Sequence, residues 1–222
     1  MTKPTVNLTD GPVKRPYRSA IREEQALATR RRIREAASVL FIRDGYAATS
    51  MTAIAAAAEV SRPTVFNNFG SKAELLRDIA NVLLAGDDEP VDVLSRPQAQ
   101  AMLEASDPEE VLRRHARLGA ELLQRVAPIV AVVTEAAATD PDAAALLATQ
   151  EQGRLDGMGA TADRLAELGA LRDGLTAQAA KESLWMLSGL EPFQLAARRQ
   201  WSLDAYTDWY WRCARSLLLD IT

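Results

Sequence analysis

The sequence is poor in the residues that disulfides and metal sites require. Among its 222 residues there is one cysteine, Cys213, and one histidine, His115. A single cysteine excludes an internal disulfide and is typical of the reducing cytoplasm, so we expect a cytoplasmic protein. An ordinary zinc site uses three or four Cys, His or carboxylate ligands and is built mostly from the first two. We therefore expect no metal site, no catalytic site and no cofactor.

Long apolar runs and strand-like patterns are also scarce. No segment approaches the roughly 20 apolar residues that span a bilayer, and the N-terminus lacks the apolar core of a signal peptide, so no membrane partner is expected. Alternating β-branched residues are nearly absent, and glycine and proline seldom interrupt the long runs with helical apolar spacing. With 48% hydrophobic and 25% charged residues, the composition is that of a globular protein. The expected fold class is all-α.

Charge is distributed unevenly along the chain. The net charge of −4 argues against a nucleic-acid partner if the chain is taken as a whole. Residues 1–80, however, contain 13 Lys and Arg against 8 Asp and Glu, whereas the remainder contains 13 against 22. A basic head on an acidic body is typical of a DNA-binding domain joined to a sensor or partner domain. The alternative is an accidental difference between the two parts.

Two short helices joined by a tight turn are predicted within the basic part. The first, residues 52–58, is rich in alanine, which lets a second helix cross it closely. Ser61 is placed to cap the second, residues 62–68, and Pro63 lies in its first turn, where the missing N–H costs nothing. A short, polar, well-capped helix can enter a DNA major groove. The alternative is a helical hairpin whose polar residues only face solvent.

The sequence on both sides makes this pattern more specific. Gly70 ends the second helix, and Ser71 with Glu74 has the spacing of a capping box for a third. The remaining motif positions are Leu40-Phe41, Gly45-Tyr46, Thr49, Thr52, Ile54-Ala55, Ala58, Val60-Ser61, Thr64, Phe66, Phe69, Ser71-Lys72 and Glu74-Leu75-Leu76. Over residues 28–78 this order resembles the N-terminal domain of the TetR family of transcriptional regulators. The resemblance implies an N-terminal three-helix helix-turn-helix DNA-binding domain and a C-terminal helical bundle for ligand binding and dimerisation.

Composition and breaks in periodicity divide the chain into four parts. Residues 1–22 contain three prolines and scattered basic residues, and we expect a mobile basic arm that either reaches DNA or remains a free tail. The helix-turn-helix domain is assigned to residues 23–70 and a connecting helix to residues 71–86. Residues 87–222 are assigned to effector binding and dimerisation.

An arginine cluster is expected to open the first helix. It consists of Arg30, Arg31, Arg32 and Arg34. Because a helix N-terminus normally favours acidic residues, the cluster fits contact with DNA phosphate better than it fits a solvated face.

Roles in DNA binding follow from the resemblance together with side-chain chemistry. Contacts to base edges are assigned to Arg62, Thr64 and Asn67. Contacts to the DNA backbone are assigned to Thr49, Thr52, Phe66, Asn68 and Lys72. Phe66 and Asn68 stand where the family frequently has tyrosine or histidine, so the sequence departs from the family there. Phe66 either contacts a thymine methyl or packs.

The last two predicted helices, residues 176–198 and 202–219, are the most apolar pair of the chain. The resemblance implies that they form the interface of a homodimer as half of a four-helix bundle, and an ordinary core is the alternative. The interface residues are Leu184, Leu187, Leu195, Tyr206, Trp209, Tyr210, Cys213 and Leu217. A dimer is favoured because one recognition helix of two turns reads too few bases to be specific.

The resemblance also implies a small-molecule effector in the middle of the body, of unknown identity and largely apolar. The candidate pocket residues are His115, Leu118, Leu122, Val130, Met158, Trp185, Met186 and Phe193. For each of them, ordinary core is the alternative.

The resulting hypothesis is a non-enzymatic, sequence-specific regulator that binds a pseudo-palindromic DNA operator and leaves it when the effector binds. Repression is favoured over activation because occupying DNA needs no further contact surface. One alternative is a DNA-binding dimer without an effector. The other is a helical small-molecule carrier or enzyme, although no nucleophile–base pair, metal cluster or phosphate loop is evident in the sequence.

Overall fold

The computed structural model describes residues 15–86 and 92–220. In this part of the chain the elements are α1 (Arg15–Asp44), α2 (Met51–Ala57), α3 (Arg62–Phe69), α4 (Lys72–Ala85), a 3₁₀ turn (Val93–Ser95), α5 (Pro97–Glu104), α6 (Pro108–Ala137), α7 (Pro141–Glu167), α8 (Ala177–Leu187), α9 (Leu190–Arg198) and α10 (Leu203–Leu218). The predicted all-α class is confirmed. None of these described helices combines the length and the apolar character needed to cross a bilayer.

Serine caps define the starts of α2, α3 and α4. The hydroxyls of Ser50, Ser61 and Ser71 each accept a hydrogen bond from the backbone N–H three residues later, at 3.1, 3.2 and 3.1 Å. Gly70 ends α3 with a φ of 69°, a backbone conformation that favours glycine. Because these signals are local, the helix ends predicted for this segment agree with the structure to within one residue.

Helix α1 begins earlier than expected. We expected a mobile arm up to residue 22, but α1 starts at Arg15, so residues 15–22 are helical. Residues 22–28 are exposed and include Glu, Gln, Leu and Ala, so helix propensity rather than burial extends the helix. The arginine cluster consequently lies inside α1 and not at its N-terminus. The rest of the predicted arm, residues 1–14, is outside the described residues.

One hydrophobic core joins α1–α4 to the body. It contains Ile33 and Phe41 from α1 and Val65 from α3. It also contains Ile129 from the C-terminal half of α6 and Leu146 from the first turns of α7. The helix-turn-helix is therefore seated on these two body helices through a shared apolar interior.

The opposite end of the body has a second core, made by α5, the N-terminal half of α6, α7, α8 and α10. Three predicted dimer-interface residues lie inside the chain, since Leu184, Tyr206 and Tyr210 are exposed by only 0%, 2% and 4%. Their assignment to an interface is therefore wrong, because intramolecular packing already covers them. Leu195 and Leu217 are exposed, at 55% and 40%.

The helix predicted for residues 176–198 is two helices, α8 and α9, separated at Ser188 and Gly189. Pro192 explains the break. A continuous helix would need a hydrogen bond from residue 192 to the carbonyl of Ser188, and proline has no N–H to donate. In the first turn of α9 the missing donor costs nothing, so the helix restarts there.

Candidate nucleic-acid interface

Helix α3 has one buried and one exposed face. Val65 and Phe69 are buried in the core, whereas Arg62 and Asn67 are exposed and Phe66 is 38% exposed. The Arg62 guanidinium lies 5.3 Å from the centre of the Phe66 ring. The exposed face therefore offers a cation, an aromatic ring and an amide, which together can read major-groove edges and thymine methyl groups.

Two of the predicted contact residues on α3 make hydrogen bonds within their own helix. The Thr64 hydroxyl shares a hydrogen bond of 2.8 Å with the Ser61 hydroxyl. The Asn68 amide nitrogen donates to the Thr64 carbonyl, also at 2.8 Å. Both side chains are half-buried. Any contact to DNA from Thr64 or Asn68 therefore has to share or replace a bond that already stabilises α3.

Of the two threonines predicted to contact the DNA backbone, only Thr52 is available. Thr52 is exposed in the first turn of α2. Thr49 is only 3% exposed, and its hydroxyl donates to the carbonyls of Gly45 at 2.8 Å and Leu40 at 3.3 Å. The structure contradicts a phosphate contact by Thr49, because its side chain is used to close the end of α1.

Lys72, the first residue of α4, holds the loop between α1 and α2. Its ammonium group donates to the Tyr46 carbonyl at 2.8 Å and to the Thr49 carbonyl at 3.2 Å. It also lies 4.0 Å from the centre of the Tyr46 ring, and burial lowers the pKa of Lys72. An ammonium group has three donors, so at most one remains for a phosphate.

The arginine cluster divides between internal and external side chains. Arg30 donates to the Asn68 carbonyl at 2.9 Å and to the Asp78 carboxylate, and its guanidinium lies 4.4 Å from the centre of the Phe69 ring. Arg34 donates to the same carboxylate at 3.4 Å. These contacts join α1 to the end of α3 and to α4, so a phosphate would have to compete with them for Arg30 and Arg34. Arg32 is exposed.

Residues 33–79 match the model of the family described as bacterial regulatory proteins, tetR family. Over these residues the chain matches the N-terminal domain of the TetR family. The match runs from the middle of α1 to the middle of α4 and includes every side chain described above for the exposed face of α3. The resemblance found in the sequence is thereby confirmed.

Solved structures of TetR-type proteins share the fold of this chain. NalD of Pseudomonas aeruginosa, the secondary repressor of the MexAB-OprM multidrug efflux pump, is 21% identical, with a TM-score of 0.65 over 89% of this chain and 100% of its own. SmeT of Stenotrophomonas maltophilia, in complex with triclosan, is 20% identical, with a TM-score of 0.64 over 87% and 92%. PfmR of Thermus thermophilus is 22% identical, with a TM-score of 0.58 over 84% and 96%. No curated protein matches this chain.

In the body of this TetR-type fold, His115 is held by two hydroxyl groups. Its Nε2 lies 2.9 Å from the Tyr210 hydroxyl, and its Nδ1 lies 2.8 Å from the Thr161 hydroxyl. Burial lowers the pKa of His115 to about 4, so the ring is neutral near pH 7. Both ring nitrogens are thus engaged by groups of the chain itself, whereas we predicted that His115 lines an effector pocket.

The other predicted pocket residues do not share one environment. Met158 packs against the core that contains Tyr210, whereas Phe193 packs edge-on against Tyr206 in a separate cluster, with 5.1 Å between the ring centres. The Trp185 ring lies under a guanidinium, that of Arg154, at 4.6 Å. The partly buried members on α6 are Leu118, Leu122 and Val130. Met186 is 72% exposed, so it cannot line a pocket enclosed by one chain.

Sequence reasoning missed the structural roles of Arg30, Arg34, Tyr46, Lys72 and Asp78. The partners that give them these roles are at least 23 residues away in the sequence, and nothing in their local spacing indicates the pairing. One signal was available in the body, where Pro192 marks the start of a new helix.

Proposed function

We propose that the chain is a sequence-specific DNA-binding transcriptional regulator that acts as a homodimer on a pseudo-palindromic operator. The observation that carries this proposal is the exposed face of α3, with Arg62, Phe66 and Asn67, in a TetR-family domain. Arg62 and Asn67 have the donors and acceptors that read guanine and adenine edges, and Phe66 has the apolar ring that contacts a thymine methyl. Thr52 is the best-placed contact to the backbone on α2.

The dimer is part of the proposal because α3, with eight residues, reads too few base pairs alone. Exposed apolar side chains on the last three helices support a self-complementary surface. Met186 on α8, Leu195 on α9 and Leu217 on α10 are exposed by 72%, 55% and 40%. These three residues, with the partly buried Leu187, Trp209 and Cys213, form the interface that we propose.

We further propose that the regulator is a repressor released by a small, largely apolar effector. NalD and SmeT are repressors of multidrug efflux pumps, and a SmeT structure contains triclosan, which supports this reading through a shared fold. An effector held better by the form that does not bind DNA would shift α4 and move the two recognition helices out of register. Repression is favoured because a protein that occupies an operator needs no additional contact surface.

A second candidate is a DNA-binding dimer without an effector. The hydrogen-bond network of Thr161, His115 and Tyr210 favours it, because this network satisfies both nitrogens of the histidine without any ligand. Calorimetric titration of the protein with a panel of apolar compounds separates the two candidates. Binding that weakens operator affinity supports the effector, and operator affinity that no bound compound changes supports the second candidate.

Selection of bound sequences from a pool of random duplexes, followed by salt titration, tests the proposal. We expect enrichment of a pseudo-palindrome and a steep decrease of affinity with salt. Asn67→Ala should weaken binding to the selected operator by about 10-fold, because it removes a base-reading amide worth roughly 1–3 kcal/mol.

Asn81→Ala is the matched control for this experiment, since it removes the same amide from an exposed position of α4. It should leave the affinity for the selected operator unchanged. Weak, sequence-blind binding that Asn67→Ala does not alter would overturn the regulator and direct attention to a carrier or an enzyme.

A further inference from the structure

Asp140 lies at the N-terminus of α7 and uses its two carboxylate oxygens differently. Oδ1 accepts hydrogen bonds from the backbone N–H groups of Asp142 at 2.9 Å and Ala143 at 3.2 Å, and so caps α7. Oδ2 accepts a hydrogen bond of 2.8 Å from the Tyr46 hydroxyl. The hydroxyl of Tyr46 holds the pKa of Asp140 below its ordinary value, so the carboxylate is charged near pH 7. One side chain of the body thus binds its own helix and the DNA-binding domain.

Tyr46 is itself fixed within the helix-turn-helix domain. The side chain is 4% exposed, and its ring centre lies 5.7 Å from that of Phe41. On the other side, the ammonium group of Lys72 lies 4.0 Å from the ring and donates to the carbonyls of Tyr46 and Thr49. A displacement of the Tyr46 hydroxyl would therefore be transmitted to the backbone before α2 and to the first residue of α4.

The contacts of Tyr46 and Lys72 lie next to the start of α2 and the end of α3, the two helices of the DNA reader. Thr49 directly precedes Ser50, the residue that caps α2, and Lys72 follows the turn at Gly70 that ends α3. The carboxylate of Asp140 is consequently connected, through one hydroxyl and one ammonium group, to the start of α2 and to the exit of α3.

Besides this bond, the domain and the body share an apolar core, and the side chains of Glu135 and Arg125 on α6 lie beside Gly45 and Gly86. Residues such as Ile129, Val133 and Leu146 fill the shared core, and hydrophobic contact has little directional preference. A hydrogen bond to a charged acceptor is directional and stronger than a neutral one. The apolar core would permit several orientations of the helix-turn-helix relative to α6 and α7. The bond between Tyr46 and Asp140 is suited to select one of them.

We propose that Asp140, a residue of the body, is a positioning residue for DNA recognition, which acts through the Tyr46 hydroxyl to set the orientation of α2 and α3. The inference rests on the proposed function, because orientation matters only if two copies of α3 must meet two half-sites about one helical turn of DNA apart. It assigns a role in DNA binding to a side chain that does not contact DNA.

Two substitutions isolate the bond. Tyr46→Phe removes the hydroxyl and leaves the ring against Phe41 and Lys72. Asp140→Ser keeps a residue that is favoured as a helix N-cap but is too short to reach Tyr46. The matched control is Asp107→Ser, the same change at the N-cap of α6, where the carboxylate accepts from the Glu109 N–H at 3.1 Å.

The decisive measurement is affinity for the selected operator as base pairs are added or removed between its half-sites. Wild type and Asp107→Ser should prefer one spacing. Tyr46→Phe and Asp140→Ser should each bind that spacing about 5- to 10-fold more weakly and lose most of the preference, and the double variant should be no weaker than either single one. A merely structural role would lower stability without changing the preferred spacing. Unchanged spacing preference, or effects that add in the double variant, would overturn the inference.

Hydrogen exchange on the DNA-free protein distinguishes failure of this inference from failure of the proposed function. Both variants should accelerate exchange of the amides of α2 and α3 relative to Asp107→Ser, since the reader is no longer held in one orientation. If the wild-type chain selects no operator, the proposed function fails, and exchange then decides only whether the bond between Tyr46 and Asp140 orients α2 and α3. Exchange equal to that of the control would overturn the positioning role.

Discussion

The helix-turn-helix and the C-terminal region, helices α5–α10, use polar side chains in opposite ways. In the helix-turn-helix, polar groups lie at helix ends and in loops, where Ser61, Thr49 and Lys72 hold short helices in place. In the C-terminal region, the polar groups of His115 and Tyr210 are buried among apolar side chains and bind each other. In the first region such hydrogen bonds lie at helix ends and in loops, whereas in the second they also lie inside the apolar core. Substitutions should therefore affect orientation and DNA affinity in the first and folding stability in the second.

The largest expected effect separates core from surface in the C-terminal region. Leu184→Ala should lower the free energy of unfolding by about 2–5 kcal/mol, because it leaves a cavity at a fully buried position. Leu195→Ala, at a position that is 55% exposed, should change it by less than about 0.5 kcal/mol in the monomer. Denaturant unfolding at low protein concentration measures both. Equal effects would mean that the two leucines do not differ in burial as described.

The next largest effect is the pH dependence of stability that the buried His115 causes in the same region. The pKa of His115 is lowered from 6.5 to about 4, so between these pH values the unfolded chain binds a proton that the folded chain does not. Protonation of His115 in the unfolded chain should lower the free energy of unfolding by about 3 kcal/mol as the pH decreases from 6.5 to 4. Above pH 6.5 the contribution of His115 should stay constant.

His115→Gln is the comparison for this pH dependence, since glutamine can still bond to Tyr210 and Thr161 but does not titrate in this range. The unfolding free energy of the wild type, measured relative to that of the variant, should fall by about 3 kcal/mol when the pH is lowered from 7 to 4. Curves that remain parallel over this range would contradict a buried, neutral histidine.

The smallest effect lies in the helix-turn-helix and distinguishes two neighbouring arginines. Arg30→Ala should cost about 1–2 kcal/mol of stability and weaken operator binding, because it removes the bonds to the Asn68 carbonyl and to Asp78 that hold the end of α3. Arg32→Ala, at an exposed position, should leave stability within about 0.5 kcal/mol. Thermal unfolding and salt titration of DNA binding check the pair. Equal stability losses would show that Arg30 does not anchor α3.

The same contrast explains which features the sequence could predict. The ends of α2, α3 and α4 were predictable because Ser61, Gly70 and Ser71 act on neighbours within a few residues. The roles of Lys72 and Arg30 were not, because their partners lie 26 and 48 residues away and are brought close only by folding. In the candidate site, the exposed Arg62 and Asn67 were predicted from their places on a short helix. Thr49 was misassigned because its burial depends on the whole domain.

The C-terminal region was harder to predict for a different reason. Leu184 and Met186 are both apolar and lie on opposite sides of α8, and the first is fully buried whereas the second is 72% exposed. Helical periodicity locates an apolar face, but it does not say whether another part of the same chain or a second chain covers it. That information lies in the packing of α10 against α6 and α8, which no local pattern specifies.

Helix α6, from Pro108 to Ala137, contributes buried residues to every core described above. Leu112 lies in the body core, Ala120 in the cluster around Tyr206, and Ile129 in the core of the helix-turn-helix. A helix common to all three couples their unfolding, so the DNA reader and the body should melt as one cooperative unit. If residues 15–86 were transplanted onto another scaffold, they would lose the part of their interior that α6 and α7 supply. They would need a foreign helix shaped like the C-terminal half of α6.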